Sequence, residues 1–503
     1  MPPSPSISAA CMPRTNWPLL TDFDRKYPVS RDLDPSVDLF QSCGDMETLP
    51  NPPPGGASDP AAPPGSPRWV MLNGYVDVED GVAADARTTA ASCTSSGHFF
   101  SVSLGLAAPP ASSVLHYDWL VGGGTPTTDP GGTEFSKALR IVAAHNDAVL
   151  IETRVSEKRY GYDLHRYPTV DYFVYEAAGA ARPPSLWLLP GCSVSMQFER
   201  GKGNRQEPTP GPGPRVLSVV QNDTGLLRRG GGDGEFLVAQ LEVTYDAPYD
   251  NAELCVLRSG GGGGGGGWDL KRVPIVHHDE DGAGGEPPPR CAELDAAVPV
   301  GGGRFMCWVD YLAGVLVCDM DETESPRLRY VPLPVPPPPE KTGRNHYDSD
   351  RPRMQYCRSL ASAGADAVRF VSVAPRCCCG GAGRSSCERS RFAFNVTTWT
   401  MSLRTEGPMA WVKDGVLDCD ELWQLPGYGR RLPRVAPKFP VVSSDDPDVV
   451  CFVLSDKCYP KDGEEHTTWM VEIDTRNKAL LSVVGSNTKQ YLEDSHLPAK
   501  LRW

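Results

Sequence analysis

Long apolar runs are missing from this sequence. No segment approaches the roughly 20 apolar residues that a membrane-spanning helix requires. Residues 1–20 lack the charged segment followed by an apolar segment that marks a secretory leader, and Asp22 and Asp24 argue against a transit peptide. We therefore expect a soluble protein of the cytoplasm or nucleus that has no membrane partner, signal peptide or transmembrane segment.

Basic clusters are also missing. The net charge is −14 and the isoelectric point is about 5.2. The basic groups at 202–205 and at Arg430–Arg431 are short and isolated. Because an acidic surface repels a phosphate backbone, we expect no nucleic-acid partner.

Catalytic motifs are absent as well. The sequence contains neither G-x-S-x-G nor H-E-x-x-H, and its nine histidines show no spacing typical of a ligand set. The glycine tract at 260–267 is not followed by the Lys-Ser/Thr pair of a phosphate-binding loop. We expect no catalytic, cofactor-binding or metal-binding residues, and no cofactor.

The 16 cysteines are scattered rather than spaced as a disulfide framework. Several lie inside apolar runs, where a free thiol behaves as a small hydrophobe. The loop from Cys377 to Cys387 has three contiguous cysteines and a fourth further on. Zinc prefers paired ligands that can converge tetrahedrally, so the pattern favours a low-complexity loop over a zinc site, although metal binding or redox activity there stays open.

Short strands dominate what is present. Runs of β-branched, aromatic and aliphatic residues alternate with clusters of Gly, Pro, Asp and Asn, as at His98–Leu104, Ala148–Arg154 and Phe236–Tyr245. The best helix candidate is Thr133–Ala144, which is only moderately periodic. The pattern predicts an all-β fold.

The chain divides into three parts on composition. Residues 1–67 are rich in Pro, Ser and Asp and predict a disordered tail. Residues 68–490 predict a β-repeat domain that is interrupted by long low-complexity loops, and residues 491–503 are interpreted as a C-terminal tail.

The stretch from Phe305 to Pro334 shows the repeated unit. Phe305–Val309 and Val315–Asp319 predict neighbouring strands joined by the turn Asp310–Gly314, and Leu328–Val331 predicts the next strand. Pro332 and Pro334 then end the pairing, because proline donates no ladder hydrogen bond. Similar strand–turn–strand units recur at 171–190, 253–274 and 469–483, and more weakly at 398–403.

Such units cannot bury both faces alone. A closed radial array buries them against one another and leaves only short edges, so we expect a propeller-like array of antiparallel β-meander blades. A pair of β-sandwiches is the alternative.

Several motifs, taken in order, resemble the plant domain-of-unknown-function family 1618, which is expanded in grasses. They include VSLGLAAPPASSVLHYDW, DYFVYEA with PSLWLLP, WVDYLAGVLVCDM with LRYVPLP, and WMVEIDTRNKALLSV. The resemblance covers about residues 68–490. The structural motif residues are Trp69, Trp308, Asp310, Gly314, Asp319, Tyr330, Pro332, Pro334, Trp469 and Asp474.

A more distant resemblance links the strand–Asp–loop–strand–Leu-Pro pattern to the F-box-associated β-propeller modules of ubiquitin-ligase adaptors. Residues 1–67 contain no segment resembling an F-box. The leading hypothesis is a non-enzymatic scaffold with a protein partner of unknown identity. The alternatives are a ubiquitin-ligase substrate adaptor without its own F-box, and an enzyme or a sugar- or metabolite-binding propeller with an axial site.

Overall fold

The structure is a computed structural model that describes residues 68–74, 85–119, 134–158, 169–179, 182–191, 222–230, 235–243, 251–259, 267–277, 293–336, 353–377, 393–429, 432–455, 466–488 and 496–501. All of these ranges belong to one compact unit, Pro60–Trp503. The predicted N-terminal tail lies outside the described residues, as do most of the glycine tract and most of the cysteine-rich loop.

The regular structure of the described ranges is almost entirely strand, which confirms the all-β prediction. The strands group into successive, mostly antiparallel sheets, here called blades. The first blade contains β1 (Val70–Asn73), β2 (Ala90–Cys93), β3 (Phe99–Gly105), β4 (Ser112–Trp119) and the C-terminal strand β25 (His496–Ala499). The second contains β5 (Glu134–His145), β6 (Ala148–Lys158), β7 (Thr169–Glu176) and β8 (Ser185–Leu188).

Two further blades form one continuous sheet, because their outer strands pair in parallel. The third blade contains β9 (Thr224–Arg228), β10 (Phe236–Val243), β11 (Asn251–Arg258) and β12 (Asp269–His277). The fourth contains β13 (Ala296–Pro299), β14 (Phe305–Asp310), β15 (Gly314–Asp319) and β16 (Leu328–Pro332).

The last two blades complete the set. The fifth contains β17 (Arg358–Ser362), β18 (Ala367–Pro375), β19 (Phe394–Ser402) and β20 (Trp411–Asp418). The sixth contains β21 (Lys438–Val442), β22 (Val449–Ser455), β23 (His466–Asp474) and β24 (Ala479–Thr488). A short 3-10 helix at Met354–Tyr356 precedes the fifth blade, and the short helix α1 (Cys419–Trp423) follows β20. None of the helices in the described ranges has the length and apolarity needed to cross a membrane.

The inner strands of the blades form a closed cycle. β5 contacts β9, β9 contacts β13, and the sequence continues through β17, β21 and β25 back to β5. Within the described residues, six blades therefore surround one axis. This architecture is propeller-like, as predicted, and it is not a pair of sandwiches.

The cycle closes through the two ends of the unit. β25 pairs antiparallel with β1, so that Val70 lies opposite Ala499. Residues 491–503 were interpreted from composition as a tail, but His496–Ala499 is an inner strand of the first blade. Pairing with a distant strand supplies the backbone partners that this short segment lacks by itself.

The predicted helix at 133–144 is wrong, because Glu134–His145 forms β5. This strand pairs along nearly its whole length with β6, and Ile141 lies opposite Ile151. Both of these side chains are fully buried. Burial between neighbouring blades outweighs the moderate helical periodicity of the segment.

The hydrophobic cores lie between blades, which explains why the strands read as continuous apolar runs. In β14, Phe305 and Val309 pack into the core shared with the fifth and sixth blades. Met306 and Trp308 point the other way, into the core shared with the third blade. Since successive side chains of a strand face opposite sides, a blade with a neighbour on each face needs apolar residues at every position.

Candidate binding cleft

The hairpin at the centre of the predicted motif is held by local contacts. Asp310 and Gly314 face each other across the β14–β15 hairpin. The Asp310 carboxylate accepts a hydrogen bond from the Leu312 amide at 2.8 Å. A Cβ atom on Gly314 would lie 2.7 Å from the Val331 carbonyl oxygen. The glycine is therefore required by the close approach of β16.

Asp319 and Tyr330, which follow in the motif, stabilise the same blade. Asp319 ends β15 and binds the guanidinium of Arg304 at 2.7 Å. The Tyr330 hydroxyl donates to the Ala313 carbonyl oxygen at 3.1 Å, across the blade. These contacts organise the fourth blade.

Pro332 and Pro334 mark the end of β16, as predicted. Pro332 is the last residue of the strand, and Pro334 lies in the bend that follows. The Pro332 carbonyl oxygen accepts a hydrogen bond from the Trp411 indole at 2.8 Å. The end of the fourth blade is thus tied to the fifth.

The other motif residues stabilise packing and turns within the ring of blades. Trp69 and Trp308 are buried, and the Trp308 indole donates to the Asp223 carbonyl oxygen of the third blade at 2.8 Å. Trp469 is half-buried against the core of the sixth blade. The Asp474 carboxylate accepts from backbone amides of the β23–β24 turn. The structure spreads the motif residues over several blades and does not bring them together in one site.

A buried ion network joins the second and third blades. The Arg228 guanidinium binds Glu176 at 2.7 Å and Asp147 at 3.3 Å. The Arg228 amide donates to His145 Nδ1 at 2.8 Å. Burial lowers the pKa of His145 to about 4, so the imidazole is a neutral acceptor at neutral pH. Each of these groups already holds a partner, which indicates a structural role.

One cluster in the described residues has the composition of a metal site. Asp418, Cys419 and Asp420 bring their ligand atoms within 4.8 Å of one another. The guanidinium of Arg376 binds both carboxylates, at 2.5 Å from Asp418 and 2.8 Å from Asp420. Asp418 also caps helix α1. An arginine already supplies the positive charge here, so the cluster is not a candidate metal centre.

An open cleft lies on one face of the fifth blade and has a volume of about 600 Å³. Thr400 of β19 and Val412 of β20 line its floor. The turns of the sixth blade contribute Pro447 and Arg476. We call this site the fifth-blade cleft.

Strand register explains why these side chains share one face. Arg369 lies opposite Thr400, and Thr400 lies opposite Val412, so the three residues form a row across β18, β19 and β20. A bulge in the β19–β20 pairing leaves Asp414 as an extra residue at the edge of the row.

The neighbouring positions face the other side of the blade. The ring of Phe370 packs against Trp399 and Trp411, at centroid distances of 5.5 and 5.8 Å. One face of the fifth blade is therefore aromatic, and the other is polar and open to the cleft.

A buried arginine organises the cleft. The Arg369 side chain is only 4% exposed. It binds Asp414 at 2.6 Å and also binds Asp448 of the sixth blade. The Thr400 hydroxyl donates to Asp414 at 2.8 Å, and Arg476 Nε binds Asp448 at 2.8 Å. Two carboxylates are thus held by one guanidinium, and the ion pairs join the fifth and sixth blades.

A third arginine lies at the rim. Arg404 is exposed in the loop between β19 and β20 and lines the cleft. Its carbonyl oxygen and that of Gly407 both accept hydrogen bonds from Arg329 of the fourth blade, which fixes the loop. No described carboxylate lies within ion-pair distance of the Arg404 guanidinium.

Sequence reasoning missed this cleft. Its polar residues come from separate strands and turns, and only pairing and blade packing bring them together. One signal was present, because Arg369 interrupts the apolar run Ala367–Val371. A charged residue in a buried strand indicates a buried partner.

Residues 308–451 match the family model described as Protein of unknown function (DUF1618). This region begins in β14 and ends in β22, so it includes Arg369, Arg404 and Asp414 of the cleft but not Arg476. The match lies within the longer resemblance at residues 68–490 and is shorter than it.

No curated protein shows significant sequence similarity to the chain. Among solved structures, the WD40 domain of SCAP from fission yeast is 8% identical, with 80% of this chain and 73% of that chain covered and a TM-score of 0.27. An α-L-arabinofuranosidase from Fusarium graminearum in complex with an iminosugar inhibitor is 9% identical, with coverages of 86% and 73% and a TM-score of 0.18. A mutant of NanB sialidase from Streptococcus pneumoniae is 9% identical, with coverages of 83% and 64% and a TM-score of 0.23. These scores are low, and the fold assignment rests on the strand pairing described above.

Proposed function

We propose that this DUF1618 protein is a non-enzymatic binding scaffold that receives an extended segment of a partner protein in the fifth-blade cleft. The observation that carries the proposal is the cleft itself, an open site of about 600 Å³ beside the outer strand of a blade.

The floor of the cleft suits an extended chain. β20 is the last strand of the fifth blade, and no described strand pairs with its outer edge. An edge strand offers unpaired backbone N–H and C=O groups to an added strand. Val412 of β20 is 64% exposed and supplies an apolar contact beside them. Backbone pairing and a side-chain contact are thus available together.

The chemistry of the cleft favours binding over turnover. Asp414 and Asp448 already accept hydrogen bonds from Arg369. A general base has to be free to take a proton from a substrate. These carboxylates instead hold two blades together and give the cleft a rigid wall.

Polar groups near the ring axis are similarly engaged. Arg228 is held by Glu176 and Asp147, and Arg358 donates to the carbonyl oxygens of Tyr311 and Pro336. This arrangement favours the cleft over an axial enzyme site.

Photocrosslinking tests the proposal. A benzophenone amino acid is placed at Val412 in the full chain, in cells that express the protein. The matched control is the same substitution at Val276 of β12, an exposed valine of the third blade. Discrete protein adducts at position 412 that are absent at position 276 are expected. Equal labelling at both positions, or no adduct at either, would contradict a binding role for the cleft.

A further inference from the structure

The charges that line the fifth-blade cleft are unbalanced. Three arginines line it, Arg369, Arg404 and Arg476, and only one aspartate does, Asp414. Asp448 lies next to the lining and adds one more negative charge. The five groups sum to +1, on a chain whose net charge is −14. The charges counted here therefore have the opposite sign to the net charge of the chain.

The excess positive charge lies at the rim, where a ligand would meet it. The Arg369 guanidinium is already paired with the carboxylates of Asp414 and Asp448. Arg476 binds Asp448 through Nε, and its side chain is 67% exposed. Arg404 is exposed and has no acidic partner among the described residues. The exposed guanidinium groups of Arg404 and Arg476 are thus accessible to a ligand.

Guanidinium groups match the planar geometry of a carboxylate and bind it through two parallel hydrogen bonds. The rim also contains apolar side chains, Pro408, Ala410 and Val412. Val412 lies in β20, and Ala410 lies just before the strand begins at Trp411. A ligand that satisfies both features carries acidic and apolar side chains on an extended backbone.

We infer that the partner segment bound in the fifth-blade cleft is an acidic peptide, whose Asp or Glu side chains engage Arg404 and Arg476. This inference rests on the proposed function. The apolar side chains of the same peptide pack on Val412, and its backbone lies along β20.

Selection from a random peptide pool tests the inference. Displayed dodecapeptides are selected on the immobilised full chain at moderate salt, and the enriched pool is sequenced. The Asp and Glu content is expected to rise about twofold or more over the input pool, because two exposed guanidinium groups favour carboxylates. An enriched pool that is neutral or basic would overturn the inference.

A charge-reversal variant tests whether Arg404 and Arg476 bind the peptide. The double variant R404E/R476E is expected to weaken binding of the best synthetic peptide by about tenfold or more, because like charges then face each other. The matched control is R272E/R327E, which reverses two exposed arginines of the third and fourth blades. Both variants change the net charge equally, and unfolding curves of both are measured to check that they remain folded. Equal binding by wild type and R404E/R476E would overturn the assignment.

The two proposals fail in different ways. A selected peptide that is neutral but crosslinks at position 412 refutes the acidic ligand and leaves the scaffold proposal standing. A selected peptide that does not crosslink at position 412, together with no cellular adduct at that position, refutes both.

Discussion

The indole nitrogen of Trp308 in the fourth blade donates to the carbonyl oxygen of Asp223 in the third blade at 2.8 Å. Trp308 is fully buried, and the Leu241 amide donates to the same carbonyl oxygen at 3.0 Å. One backbone oxygen therefore accepts hydrogen bonds from two blades.

Replacing Trp308 with Phe is expected to lower the free energy of unfolding by about 1–3 kcal/mol, because a cavity forms and one buried hydrogen bond is lost. The Asp223 carbonyl keeps Leu241 as a donor, which limits the loss. Urea unfolding measures the effect. Trp411→Phe, at a half-buried indole, is the control and should cost less. A larger cost for Trp411→Phe would show that the blade contact at Trp308 is not the stronger one.

The Asp223 carboxyl makes stability depend on pH. Burial raises its pKa from 3.8 to about 6. Because the pKa in the folded state is higher than that in the unfolded state, the contribution of this group to stability is complete below pH 4. It is lost as the pH rises through 6.

Asp223→Asn should therefore raise the free energy of unfolding at pH 7–8, by about 1–3 kcal/mol for a shift of roughly two pKa units. Relative to wild type, this gain should disappear near pH 4. Urea unfolding from pH 4 to pH 8 tests the difference. Asp269→Asn, at an exposed carboxylate, is the control substitution. A pH-independent difference for Asp223→Asn would contradict the raised pKa.

Arg369 is expected to be essential for the joint between the fifth and sixth blades. Arg369→Met leaves Asp414 and Asp448 without their buried partner and should cost about 2–4 kcal/mol. Arg404→Met, in the same cleft but exposed, should change stability by about 0.5 kcal/mol or less. Thermal and urea unfolding of both variants provide the comparison, and similar costs for the two would show that the Arg369 ion pairs add little.

Substitution of Gly314 tests how closely β16 approaches β15 at this position. An alanine Cβ at this position would meet both the Tyr330 ring and the Val331 carbonyl oxygen. Gly314→Ala should therefore destabilise the fold by about 1–3 kcal/mol through overpacking. Gly415 of β20 is the matched strand glycine, since a Cβ there meets no atom within 4 Å. If Gly415→Ala were equally destabilising, the effect would belong to strand glycines in general.

Ring closure predicts the result of a truncation. A chain that ends at residue 491 lacks β25 and exposes the paired edge of β1. It should lose cooperative unfolding or aggregate, because two blades lose their inner neighbour. A chain that ends at Leu501 retains the strand and is the control. Identical melting curves for the two chains would show that β25 does not close the ring.

Sequence reasoning predicted pairing between strands that are close in the chain well, and pairing between distant strands poorly. The hairpin of β14 and β15 was predicted with its turn, because apolar runs and a central glycine lie close together in the chain. By contrast, β5 was predicted as a helix, since its burial comes from blades that are distant in sequence. The strand at 496–499 was missed for the same reason, because its partner β1 lies at the other end of the unit.

The candidate cleft shows the same division. Arg369 stands out in the sequence as a charge within an apolar run, but its partner Asp448 lies 79 positions away along the chain. The sequence by itself determined the strand-rich class, the local hairpins and the acidic balance, because these depend on composition and on contacts between near neighbours. The tertiary structure decided the number of blades, the closure through β25 and the placement of the arginines, because each depends on packing between segments far apart in the chain.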